Sequence, residues 1–262
     1  MRAVGYPTPV ARVRAIYLSP VKSLGLESTE RTTVTPGGIP GDRAFVVLDE
    51  RDEVATLRRY GQLAKARSHF DPGTGRLALT MPDGRVVDGT VNGGAPTTVV
   101  MFGRDLTGTV VDGPWADALS ELTGTPMRLM RVREDGAGQD AYPLSLLSRE
   151  SLQELADRSG LDQAPDPRRF RNTLLIEGVP PHGEDAWVNR EVRAGGAVLR
   201  VAERDARCSL TTRNPDSGAR DLDTLRMIAA YRPPVDNEVC FGVYADVVEP
   251  GVVSVGDSVE PI

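Results

Sequence analysis

A single thiol set among cations and hydroxyls is the feature of this chain best suited to chemistry. Cys208 lies in the run Glu203-Arg204-Asp205-Ala206-Arg207-Cys208-Ser209-Leu210-Thr211-Thr212, followed by Asn214-Pro215-Asp216-Ser217-Gly218. A thiolate is a soft donor, so a cysteine in polar surroundings suits a soft metal ion. Taken alone, the same residue reads first as core, because free cysteines are among the most buried side chains. Cations recur elsewhere. Lys22, in Ser19-Pro20-Val21-Lys22-Ser23, and Lys65 are the only lysines among 31 basic residues. Arginines cluster in Gly41-Asp42-Arg43, Leu57-Arg58-Arg59, Arg168-Arg169-Phe170-Arg171, and Arg204 with Arg207. Scattered arginines are by default a solvated surface. A converging set binds an anion, since the guanidinium fork matches phosphate geometry.

Composition narrows the class. The 262 residues carry a net charge of −6, which argues against a nucleic-acid partner, because phosphate neutralisation needs a basic surface. No run of about 18 apolar residues is present, so no membrane span is expected. The first twelve residues show no secretory signal, and a cytoplasmic protein is expected. The two cysteines, Cys208 and Cys240, are too few for an iron–sulfur cluster. His69 and His182 lack the spacing of a zinc hydrolase.

The elements that must position these residues are mostly strands. With 27 glycines, 20 prolines and few aromatics, short strands joined by turns are favoured. Strands are predicted at 12–18, with Val13, Ala15 and Tyr17 on one face, and at 44–48, 54–57, 64–70 and 77–81. A helix over 114–123 has Pro114 at its first position and Gly124 to end it. After Thr125-Pro126 the pattern restarts, placing a domain boundary at about residue 125 and dividing the chain into 1–125 and 126–262. The second half predicts a strand at 127–132 and a helix at 148–158, with Ser148 as cap and Gly160 as stop. Strands at 173–176 and 197–202 and a helix at 222–231 follow. The alternating strand 239–247 places Cys240, Gly242, Tyr244 and Asp246 on one face, before a last strand at 252–255.

Read in order, these segments resemble a known family. Ser19-Pro20-Val21-Lys22-Ser23, Gly41-Asp42-Arg43-Ala44-Phe45, Arg169-Phe170-Arg171, Ala206 to Thr212, Asn214 to Gly218 and Phe241-Gly242-Val243-Tyr244 look like the molybdenum cofactor sulfurase C-terminal (MOSC) domain proteins with an amino-terminal MOSC-associated β-barrel. The group includes the mitochondrial amidoxime-reducing component and its bacterial counterparts. Single motifs such as Pro-Val-Lys-Ser are weak, whereas their ordered set, from about residue 12 to 259, is specific.

The resemblance implies a mainly β fold with a few helices: an amino-terminal β-barrel domain and a carboxy-terminal MOSC β-barrel, with a molybdenum–molybdopterin cofactor between them. It carries the metal-ligand and catalytic role onto Cys208. It carries cofactor contacts onto Lys22, Ser23, Arg43, Arg171, Arg207 and Tyr244, onto Ala141 and Tyr142 through their backbone, and more weakly onto Arg58. The activity implied is reduction of N-hydroxylated substrates, such as hydroxylamines and amidoximes, with electrons from a separate donor protein. The alternative is a carrier of the cofactor or of sulfur that uses Cys208. A Schiff base of Lys22 with pyridoxal phosphate has no supporting motif. One departure concerns Phe170-Arg171-Asn172-Thr173, where the family has phenylalanine-arginine-proline-asparagine. The pocket asparagine is thus replaced by Thr173 or displaced to Asn172.

Overall fold

The computed structural model describes residues 10–262, so most of the segment read for a secretory signal lies outside the described residues. Strands dominate. The first half holds β1 (Ala11–Leu18), β2 (Glu27–Thr29), β3 (Arg31–Val34), β4 (Phe45–Leu48), β5 (Arg67–Asp71), β6 (Arg76–Thr80), β7 (Val86–Thr90), β8 (Asn92–Met101) and β9 (Arg104–Asp112). Helix α1 (Trp115–Thr123) and β10 (Arg128–Val132) follow, then β11 (Leu144–Ser148), α2 (Arg149–Ser159) and β12 (Leu174–Glu177). The chain continues through β13 (Glu191–Ala194), β14 (Ala197–Ala206), α3 (Thr224–Ala229), β15 (Cys240–Glu249), β16 (Gly251–Ser254) and β17 (Ser258–Pro261). The expected mainly β fold is what the chain forms.

Seven strands close a barrel in the order β12-β11-β15-β14-β13-β17-β1, with β1 pairing back to β12. Its interior is a continuous apolar cluster that includes Val13, Ile16, Leu146, Ile176, Leu199 and Val243. The strand nearest the amino terminus therefore completes a barrel otherwise built from the second half. Residues 128–132 move the other way: β10 lies between β4 and β9 in the four-stranded sheet β4-β10-β9-β8. That sheet and the β5-β6-β7 sheet share a second core with Phe45, Leu77, Trp115 and Leu119. No helix among the described residues is long and apolar enough to cross a membrane.

Local chemistry explains the helix ends. Gly124 and Gly160 both take left-handed conformations, and the Ser148 hydroxyl accepts from the Ser151 amide at 3.1 Å. Pro114 caps α1 instead of opening it, and α3 is shorter than its pattern, spanning Thr224–Ala229.

Three strand expectations change. A bulge between Val13 and Ala15 sends Val13 and Ile16 into the barrel, while Ala15 and Tyr17 pack on an outer cluster. Residues 54–57 form no full strand: Val54 makes a single bridge to Leu48, and the chain then turns at 57–59, where the Thr56 carbonyl accepts from the amides of Arg59 and Tyr60. The segment 61–65 is a 3-10 turn before β5.

Candidate functional site

A cavity of about 320 Å³ opens where the barrel meets the amino-terminal sheets. All ten residues singled out from the sequence line it: Lys22, Ser23, Arg43, Arg58, Ala141, Tyr142, Arg171, Arg207, Cys208 and Tyr244. They come from the loops after β1 and before β4, the turn at 56–59, the segment between β10 and β11, the turn after 167–170, the end of β14, and β15. Ser23, Arg43 and Arg171 have φ of 75°, 52° and 54°. Three non-glycine residues in the left-handed region around one cavity mark backbone held there by its surroundings.

The cations gather at one end. Lys22 is only 6% exposed and donates from Nζ to the Gly138 carbonyl at 2.9 Å, while also contacting the Asp140 carboxylate. Burial pushes its ammonium below the ordinary lysine value, against the opposing pull of Asp140. Arg43 is buried, ion-paired to Asp42, and donates to the Arg171 carbonyl at 3.2 Å. Arg171 donates from Nη1 to the Leu24 carbonyl at 2.9 Å, whereas its buried Nη2 has no hydrogen-bond partner. Burial, then the charge of Arg43, lowers its guanidinium to about 10. The Ser23 hydroxyl donates to the Ala55 carbonyl at 3.0 Å, so it braces the turn that carries Thr56 and Arg58.

Cys208 stands at the opposite kind of site, an exposed thiol on the cavity wall. The β14–β15 pairing shifts register between Arg204 and Ala206, close before it. Asp205 and Arg207 are buried, and Ala206 and Cys208 are exposed. Arg207 donates to the carbonyls of Phe241 and Phe170, each at 2.7 Å, and its Nη2 lies 2.7 Å from Asp205. A side chain at Gly242, where φ is +85°, would crowd both Arg207 Nη2 and the Leu146 carbonyl. Burial pushes the Asp205 carboxyl up to about 7, with Arg207 and the Tyr244 hydroxyl pulling the other way. Tyr244 stacks on Tyr142 with ring centroids 5.3 Å apart.

After the thiol the chain forms a short 3-10 turn, Ser209–Thr212, and the loop beyond it is clamped. Arg67 and Arg168 both bind the Asp216 carboxylate, Arg169 binds Asp221, and Arg213 donates to the Gly218 and Arg58 carbonyls. The Asp216-Ser217-Gly218 turn thus shapes the loop.

Several wall residues lacked a sequence signal. Asp205 sits in the cysteine run, but nothing local shows that it is desolvated. Phe102 reaches the cavity from the β8–β9 hairpin, whose strands carry too few buried positions to show strong alternation. Of the two candidates for the displaced asparagine, Thr173 lines the cavity and Asn172 is buried beside it. Cys240 is packed and lies outside the lining, its thiol pushed up by burial.

The family model of the MOSC N-terminal beta barrel domain matches residues 10–125, and that of the MOSC domain matches residues 133–260. The chain is 27% identical over 286 residues to "Mitochondrial amidoxime-reducing component 1" of Xenopus laevis, covering 97% of this chain and 79% of the relative. It is 25% identical over 276 residues to "Molybdenum cofactor sulfurase" of Oryza sativa subsp. japonica, covering 90% of this chain but only 33% of that protein. Among solved structures, the YUAD protein from Bacillus subtilis superposes with a TM-score of 0.46 at 14% identity, covering 96% of this chain and 95% of that one. With both domains matched in order along nearly the whole described chain, the protein belongs to the MOSC domain family, in the form that carries a MOSC N-terminal beta barrel domain.

Proposed function

We propose that this chain is a molybdenum-cofactor-dependent oxidoreductase that reduces N-hydroxylated compounds, such as hydroxylamines and amidoximes, with electrons from a separate donor protein. One observation carries the reading: an exposed thiol shares a cavity with Lys22, Arg43 and Arg171, and the buried Nη2 of Arg171 has no protein partner. This donor set fits a metal chelated by a phosphorylated pterin, because it offers one soft ligand and a separate cluster of anion donors. When bound, the molybdenum centre would supply the two-electron removal of oxygen from the substrate.

The residues have distinct tasks. Cys208 would ligate the metal. Lys22, Ser23, Arg43 and Arg171 would hold the phosphate and pterin end, with Arg58, Ala141, Tyr142 and Tyr244 along the wall. Arg207, committed to two carbonyls and Asp205, orients the strand end that presents Cys208. Converting an N-hydroxy group to an amine and water consumes two protons, and Asp205 holds a proton at its carboxyl up to about neutral pH on that same wall. A cytoplasmic setting belongs to this reading, in keeping with two unpaired cysteines.

The test is to purify the protein from a host that makes the cofactor, measure molybdenum, and assay N-hydroxy reduction with an artificial donor. About one molybdenum per chain and turnover are expected, with Cys208→Ala losing at least about a hundredfold in rate. A variant as active as the parent overturns the ligand assignment. The carrier alternative rests on the exposure of the thiol. It predicts a persulfide or bound cofactor without turnover, and a carrier of sulfur alone need contain no stoichiometric molybdenum.

A further inference from the structure

The strap from Gly136 to Asp140 crosses the cationic end of the cavity, gripped from two sides. From just beyond the β8–β9 hairpin tip, Arg104 donates through Nη2 to the Ala137 carbonyl at 3.1 Å and to the Gln139 carbonyl. The carbonyl between them, Gly138, accepts from Lys22 Nζ. Gly138 is itself tightly seated, since a side-chain carbon there would lie 2.0 Å from the Arg43 carbonyl oxygen. This grip delivers the Asp140 carboxylate onto Lys22, within reach of the charges of Arg43 and Arg171. The Asp140 side chain is 59% exposed, so no packed core holds it there.

Charge counting shows what can displace it. Lys22, Arg43 and Arg171 are three cations, Asp42 is paired to Arg43, and Asp140 is a second carboxylate. The cluster therefore carries one net positive charge with Asp140 in place and two with Asp140 withdrawn. A phosphate monoester above its second pKa brings two negative charges, while a sulfate monoester brings one. The monoanion only exchanges with Asp140. The dianion gains Coulomb energy in a partly desolvated site.

We infer that Asp140 is a built-in competitor for the anion position of the cavity: its carboxylate occupies that position and must be withdrawn before an anion enters, while the three cations make a phosphate monoester dianion the preferred entrant. The inference deepens the cofactor-binding reading above, but its test needs neither metal nor turnover.

Phenyl phosphate and phenyl sulfate have nearly the same shape and differ by one charge. Each is titrated calorimetrically at about pH 8 into the full chain, made in a host that lacks the cofactor, as parent, Asp140→Asn and Asp140→Ala. The parent should bind phenyl phosphate at least about tenfold more tightly than phenyl sulfate. Withdrawing Asp140 costs the same whichever anion enters, so both variants should bind both probes at least about threefold more tightly, with the preference for phenyl phosphate kept or raised. Unchanged or weakened affinities in the variants, a gain confined to one probe, or no binding of either probe to any of the three proteins overturns the inference. Tighter binding of both probes to the variants, together with a protein that never acquires molybdenum, would uphold the role of Asp140 and defeat the enzyme reading. Molybdenum loading with affinities unchanged by the substitutions would do the reverse.

Discussion

Two carboxylates border one cavity and are driven in opposite directions. Surrounding protein partly desolvates Asp140 even though its side chain faces the open cavity, but Lys22 and then Arg43 and Arg171 outweigh that and hold its carboxyl below the usual range. Asp205 is raised to about 7, because burial there outweighs Arg207. A carboxyl raised in the folded state stabilises the fold fully below its unfolded value near 3.8, and that contribution is lost as pH rises through about 7. The parent should therefore lose roughly 2–4 kcal/mol from this source between about pH 4 and 7. Asp205→Asn should be less stable overall, since Arg207 loses its partner, yet show a flatter slope over that window. Denaturant unfolding across pH measures both, and a variant with the parent's slope would show that Asp205 is not the responsible group. The thiols give a second prediction. Exposed Cys208 should react with a small disulfide reagent at least about tenfold faster than buried Cys240, and Cys208→Ala should remove the fast phase. Sequence singled out the residue types and order of Cys208, Lys22 and the arginines. It gave no sign of which aspartates are desolvated, since burial depends on neighbours distant in the chain.

Short elements do much of the positioning. Gly218 has φ of +70°, and a side-chain carbon there would lie 1.8 Å from the Gly61 carbonyl oxygen. This close approach fastens the loop after Cys208 to the turn region around Tyr60. Gly218→Ala should cost roughly 2–4 kcal/mol in thermal or denaturant unfolding, with loss of cofactor loading. A variant as stable as the parent would show that the loop rearranges freely. Phe102 offers the opposite case. It is 54% exposed, has φ of 52° at a two-residue turn, and lies over Lys22, with 5.6 Å between Nζ and the ring centroid. A bulky side chain gains little from such a position in the fold. Phe102→Asn should leave stability unchanged or raise it by up to about 1 kcal/mol in the same unfolding assay, and a loss of more than that would mean the ring supports the fold. Helix ends at Gly124, Ser148 and Gly160 were readable because caps are local chemistry. The β8–β9 hairpin was not, because Val99, Met101 and Leu106 are among only a few buried apolar positions in its two long strands, too few to mark a core face in the pattern.

At the scale of the molecule, the two halves of the chain exchange strands. The barrel is completed by β1, and β16 pairs with β3, while β10 completes an amino-terminal sheet. The division at about residue 125 stands as a proposal for the order of domains along the chain. Expressed alone, residues 126–262 lack the strand between β17 and β12. They should fail to give a cooperative unfolding transition, whereas co-expression with residues 1–125 should restore one. A stable, cooperatively folded 126–262 fragment would show that β1 is dispensable.

By itself the sequence determined the strand-rich class, the helix caps, the ordered motifs and the inventory of groups able to bind a metal and an anion. These follow from side-chain chemistry and short-range periodicity, which act within a few residues. Only the tertiary structure decided that β1 closes the second barrel, that Thr173 and not Asn172 faces the cavity, and that Asp140 meets three cations while Asp205 faces one guanidinium. Barrel closure, strand register and desolvation each depend on segments brought together across the whole chain, and no local pattern encodes them.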